Sequence, residues 1–133
     1  MRRVVVDTNV LVSAILFGGT PGVVLRLAAA GGMLSLTSAV LLTELHGVLL
    51  SKFHLSPDIA ELIVNEWKAA SEVVEPVVEV SAITDDPSDN RVLECALSAH
   101  ADVIISGDKH LLTLKSFHGI PILSPQAFLA LQR

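Results

Sequence analysis

A chain of 133 residues that is 51% apolar and only 4% aromatic, with a mean hydropathy of +0.62, is sized for one domain spanning 1–133 around an aliphatic core. Its 14 acidic and 9 basic residues leave a net charge of −5, which argues against binding nucleic acid by bulk charge alone. The same acidity suits an enzyme whose carboxylates are neutralised by a bound cation.

The first expected strand, residues 3–6, runs straight into Asp7-Thr8-Asn9. Helices are expected over 8–17 and 22–30, separated by the breaker Gly18-Gly19-Thr20-Pro21. A second strand over 33–37 leads to Ser38, a capping residue for a helix to about 52. Ser56-Pro57-Asp58, with Pro at the first helical position, starts a helix reaching about 73. A strand at 77–80 follows, and Asp86-Pro87-Ser88-Asp89 opens a helix through 99. The strand at 103–106 again delivers a carboxylate, Ser106-Gly107-Asp108. A last strand at 120–123 precedes a helix opened by Ser124-Pro125. This alternation predicts a three-layer α/β/α sandwich with right-handed crossovers and a mostly parallel, five-stranded sheet. In such sheets ligands sit just outside the carboxyl ends of the strands, where Asp7 and Asp108 are expected.

Other chemistries find little support. The single Cys95 cannot form an internal disulfide and reads as a small buried helix residue. The five histidines are scattered without His-x-x-x-His spacing, so zinc is disfavoured. The uncharged stretches 8–25 and 27–43 are broken by Gly-Gly and polar residues and do not read as membrane spans. Asp7 and Asn9 interrupt the apolar segment that would otherwise imitate a signal peptide, and a cytoplasmic protein is expected. The glycines at 18, 19 and 22 lack the Lys-Ser/Thr of a phosphate loop, and no Gly-x-Ser-x-Gly elbow exists.

The candidate site residues are Asp7, Glu44, Asp89 and Asp108. Asp7, Asp89 and Asp108 each fall where a helix begins, and helix capping alone can explain any one of them. Asp86, however, already supplies the cap ahead of Pro87, which leaves Asp89 as a surplus acid. Glu44 lies among Val40, Leu41, Gly47 and Val48 at helical spacing, where capping cannot explain it and an unpaired carboxylate is costly. Crowded carboxylates raise each other's pKa values unless a cation neutralises them, and hard oxygen donors select Mg²⁺ or Mn²⁺. Metal-activated attack of water on a phosphodiester is the chemistry that fits.

Four segments together resemble the PIN-domain ribonucleases, over essentially the whole chain. They are Asp7-Thr8-Asn9-Val10-Leu11-Val12-Ser13-Ala14, an internal Glu44, Asp86-Pro87-Ser88-Asp89-Asn90, and Ala101-Asp102-Val103-Ile104-Ile105-Ser106-Gly107-Asp108-Lys109. The nearest branch is that of toxin components of prokaryotic toxin–antitoxin systems, related to VapC-type toxins. The resemblance implies that Asp7, Glu44, Asp89 and Asp108 are the catalytic metal-binding acids of a Mg²⁺- or Mn²⁺-dependent endoribonuclease. It implies that Asn9 and Ser106, helped by Thr8, orient those carboxylates or their waters. It also implies strand order 3-2-1-4-5, a homodimer and a cognate antitoxin that holds the enzyme inactive. Related sequences often continue Gly-Asp-Lys-Asp-Leu-Leu, whereas this chain has His110 in place of the last acid, which bears on a second metal position.

Arg91 and Lys109 are candidate contacts for a substrate phosphate, with ordinary solvated charge or ion pairs balancing the acidic cluster the alternative. Trp67, in a helical stripe with Leu62, Ile63, Glu66 and Ala70, reads as core or as the anchor of a dimer or antitoxin interface. Two other functions stay open. A phosphatase or receiver domain on a similar sheet would take phosphate on a strand-end Asp, although Asn9 breaks the Asp-x-Asp that such phosphatases need. A catalytically impaired module that binds RNA or protein is the other.

Overall fold

The computed structural model describes residues 1–131, so Gln132 and Arg133 of the expected domain lie outside the described residues. In chain order the elements are β1 (Arg2–Val6), α1 (Thr8–Phe17), α2 (Gly19–Ala29), β2 (Met33–Thr37), α3 (Ala39–Ser51), α4 (Pro57–Ala70) and β3 (Ser71–Val73). A 3-10 turn (Pro87–Asp89) then leads to α5 (Asn90–Ser98), β4 (Val103–Ile105), α6 (Lys109–Leu114), β5 (Ser116–Phe117), β6 (Ile120–Leu123) and α7 (Pro125–Ala130). The sheet order is β3-β2-β1-β4-β6-β5. All pairings are parallel except that of the two-residue β5, which hangs antiparallel on β6. The five parallel strands therefore run 3-2-1-4-5 as expected, with β5 an added edge piece.

The strands alternate in side-chain direction and are covered on both faces, which explains the high apolar content. Val4, Val6, Val103 and Ile105 pack on one face with residues of α1 to α4 and with Phe128 of α7. Val5 and Ile104 face the other way, among Val92, Leu93, Cys95 and Ala96 of α5 and Leu111 of α6. The serines at 38, 56 and 124 each cap a helix by accepting a backbone N–H, as expected of them.

Two expectations are corrected. The breaker after α1 is a single residue: Gly18, at φ 72°, ends α1, and α2 starts at once with Pro21 in its first turn. The two helices meet at a bend of 99°, and no single helix among the described residues is long and apolar enough to cross a membrane.

The third strand is not at 77–80 but at Ser71–Val73. The α4 helix stops at Ala70, and Ser71 is already extended and pairs with Ser35 of β2. This first extended segment takes the free edge of β2, reinforced by Val74 N–H donating to Thr37 O at 2.7 Å. Pro76, which has no N–H, comes next, and Val77 is 83% exposed.

Candidate functional site

Strand order fixes where a site can form. After β1 the chain adds β2 and β3 on one side and β4 and β6 on the other, so the β1–β4 boundary is the topological switch point. Val6 pairs with Ile105 there, which sets Asp7 beside Ser106 just past the strand ends. The Asp7 backbone is pinned from both directions. Its N–H donates to Ile105 O at 2.9 Å, and its carbonyl accepts from Val10 and Leu11 at the start of α1.

The capping explanation fails for two of the three helix-start acids. Asp7 precedes α1 and Asp89 precedes α5, yet neither side chain makes a capping hydrogen bond. Both are nonetheless buried, at 3% and 7% exposure. Asp7 Oδ2 accepts from Ser106 Oγ at 2.8 Å, and Ser106 Oγ in turn accepts from Asp108 N–H at 2.9 Å. Asp108 does cap, since its Oδ1 accepts from His110 N–H at 2.7 Å. Asp89 Oδ2 is enclosed and has no hydrogen-bond partner. A buried carboxylate oxygen left in this way is costly unless it gains a proton or a cation.

Electrostatics give the same picture. Burial pushes the Asp7 carboxyl up from 3.8 to about 6, against the Ser106 hydrogen bond that lowers it and with Glu44 and Asp108 that raise it further. Burial, then the charges of Asp108, Asp86 and Asp7, push Asp89 up to about 7. Glu44, half-buried on α3, has neither a hydrogen bond nor an ion pair among the described residues, and its charge reaches Asp7. The ion pairs among the described residues are Arg3–Glu72, Arg91–Glu94 and His110–Asp85. Among the described residues no lysine or arginine therefore forms an ion pair with Asp7, Glu44, Asp89 or Asp108.

The structure brings the four predicted acids to one edge and adds a fifth. One oxygen each from Asp86, Asp89 and Asp108 lie within 4.8 Å of one another. Asp86 caps the 3-10 turn as expected, its Oδ1 accepting from Ser88 N–H and Oγ, but it also joins the acidic edge. What presents it is a strap over residues 77–86 laced onto one face of α5. Val77 N–H donates to Ser98 Oγ, Val80 N–H to Glu94 Oε2 and Ile83 N–H to Asn90 Oδ1, while Asn90 Nδ2 returns a bond to Ile83 O at 2.8 Å. Asn90, Glu94 and Ser98 recur at four-residue spacing, so side chains of one helix face hold the strap in place of the ladder that a strand at 77–80 would have made. That spacing was the available signal for their shared role.

The remaining candidates are distributed as follows. Thr8 is buried at the start of α1, whereas Asn9 is exposed and lines a cleft of about 340 Å³ with Val10, Ser13, Pro21, Gly107 and Pro125. The Arg91 guanidinium turns away from the acids: it lies 2.8 Å from Glu94 and donates to Val80 O. Lys109 is exposed beside Asp108. His110 is half-buried, with Nδ1 3.7 Å from Asp85, so it faces the strap. Trp67 is buried in the wall of an apolar groove of about 380 Å³ between α2 and α4, and its Nε1 has no hydrogen-bond partner.

Crowded carboxylates, two of them buried, with no nitrogen or sulfur donor among them form a donor set that fits a hard divalent cation such as Mg²⁺ or Mn²⁺. A family model described as PIN domain matches residues 3–110, a span that contains all of these acids. Among solved structures, the fold is similar to a chain in the crystal structure of VapBC2 from Rickettsia felis bound to a DNA fragment from their promoter. The TM-score is 0.62 at 16% sequence identity, covering 90% of this chain and 96% of that chain. No curated protein matches the chain.

Proposed function

We propose that this chain, which belongs to the PIN-domain family, is a Mg²⁺- or Mn²⁺-dependent endoribonuclease and the toxin half of a toxin–antitoxin pair. The observation that carries the reading is Asp89: a carboxylate 7% exposed, with an enclosed oxygen lacking a hydrogen-bond partner, in an edge of acids that no basic side chain among the described residues neutralises. Such a cluster is stable at neutral pH only with protons or a cation in it.

In this reading Asp89 and Asp108 hold the ion from opposite sides of the switch-point crevice, and Asp7 and Glu44 complete the negative field. Ser106 fixes which way the Asp7 carboxylate turns, and its second bond couples that carboxylate to the Asp108 backbone. A bound cation would supply an acidified water to attack the phosphodiester and positive charge for the leaving oxygen. Asn9, in the wall of the adjacent cleft, and Lys109, exposed next to Asp108, meet the RNA. Arg91 does less, because its guanidinium is already shared between Glu94 and Val80.

The partner reading rests on likeness of fold to a chain of the VapBC2 structure. The α2–α4 groove, with Trp67 in its wall and Leu62 54% exposed on α4, suits an apolar segment of an antitoxin. A cytoplasmic homodimer completes the proposal.

The test is cleavage by the purified chain in Mn²⁺ of a single-stranded RNA, a DNA of the same sequence and a simple phosphate monoester. Cleavage of RNA alone supports the reading. Hydrolysis of the monoester without RNA cleavage makes the protein a phosphatase. RNA binding without cleavage makes it an impaired module.

A further inference from the structure

The geometry points to Asp86 as a carboxylate ligand of the bound cation, the third corner of a set with Asp89 and Asp108. The inference rests on the metal-dependent reading above and adds a residue to it. Oxygens of the three side chains lie within 4.8 Å of one another. Two trans ligands of an octahedral Mg²⁺ are about 4.2 Å apart, so small side-chain rotations close the set around one ion.

The second observation is independent of the clustering. Asp89, one of the three, is more than nine-tenths buried, and its Oδ2 is enclosed without a hydrogen-bond partner. Asp86 can serve it without losing its local role, because both Ser88 bonds go to Oδ1 and Oδ2 is left over.

The surroundings hold Asp86 in range. Three residues upstream, Ile83 is clamped by a two-way pair of hydrogen bonds to Asn90, the residue after Asp89, so strap and helix start move as a unit. On the other side His110 lies against Asp85 rather than among the acids. The strap thus supplies an outer carboxylate at a corner where residue 110 offers none.

Asp86→Asn tests this, because Asn caps a helix start as well as Asp and removes only the charge. Mn²⁺ binding is followed by calorimetry near neutral pH, with thermal unfolding in EDTA as the control for the cap. The expected result is an affinity weaker by at least about 10-fold, the loss that even outer partners of a bound ion produce, with a melting temperature in EDTA that does not fall, since losing the Asp86 charge also relieves its repulsion of Asp89. Unchanged affinity overturns the assignment of Asp86 while leaving the cation site standing. No Mn²⁺ binding by the wild-type protein overturns the cation reading and this inference together. Asp86→Ser, which also caps without a carboxylate, replaces the first variant should that fail to fold.

Discussion

Replacing Asp7 by Asn should stabilise the metal-free protein at alkaline pH while disabling it. In the folded chain the Asp7 carboxyl sits at about 6 against 3.8 ordinarily, and each tenfold change in proton affinity is worth about 1.4 kcal/mol. A raised carboxyl pKa means that the folded state holds more protons than the unfolded one across this window. Its contribution to stability is therefore intact below pH 3.8 and lost as pH rises through about 6. Relative to strongly acid pH, Asp7 thus costs the folded state about 3 kcal/mol at pH 8, where it is ionised, and about 1 kcal/mol at pH 4.5, where folding must take up its proton. Asn carries no charge, and its carbonyl can still accept from Ser106 Oγ, so the local geometry survives. Burying the extra amide N–H adds an offset that does not depend on pH. The clean readout is then the difference: from pH 4.5 to pH 8 the advantage of Asp7→Asn over wild type should grow by about 2 kcal/mol. Urea unfolding in EDTA at the two pH values measures it. A gap that does not widen with pH, or a wild type that gains on the variant as pH rises, refutes the reasoning about burial.

Mn²⁺ should raise the melting temperature more at pH 8 than at pH 5.5, because the ion must displace protons from groups sitting at about 6 and about 7. An equal rise at both pH values contradicts this. Asn90→Ala strips partners from both the N–H and the carbonyl of Ile83 and should cost about 2 to 4 kcal/mol by urea unfolding, with faster hydrogen exchange at the Ile83 amide. Cys95 is fully buried and its thiol is pushed up to about 11 by that burial, so a thiol reagent at pH 8 should label it only on unfolding. Rapid stoichiometric labelling of the native protein would show that α5 opens.

Local signals carried much of the fold. Ser38, Ser56 and Ser124 announce helix starts by their own chemistry, and Val4-Val5-Val6 shows a strand buried on both faces. The third strand is expected at 77–80 because 71–73 reads as the last turn of the helix from Ser56, whereas that helix stops at Ala70 and leaves 71–73 extended. The choice between them depends on which reaches the edge of β2 first, a long-range matter that composition does not encode. The same holds at the site. Asp7, Glu44, Asp89 and Asp108 stand out one by one as polar residues in apolar company or beyond a cap. Asp86 looked finished as a cap, and only the lacing of the strap onto Asn90 and Glu94 reveals its second use. For Arg91 the ion-pair alternative to a phosphate contact is the one that forms, with the buried Glu94 three residues on rather than with the acidic edge.

Cleavage of RNA by protein stripped in EDTA and then supplied with Mn²⁺ tests the central claim most directly, with wild type beside Asp89→Asn. No cleavage is expected without the ion, cleavage by the wild type on its return, and none by the variant, whose circular dichroism stays unchanged. Cleavage that persists in EDTA, or that Asp89→Asn retains in full, would contradict that claim.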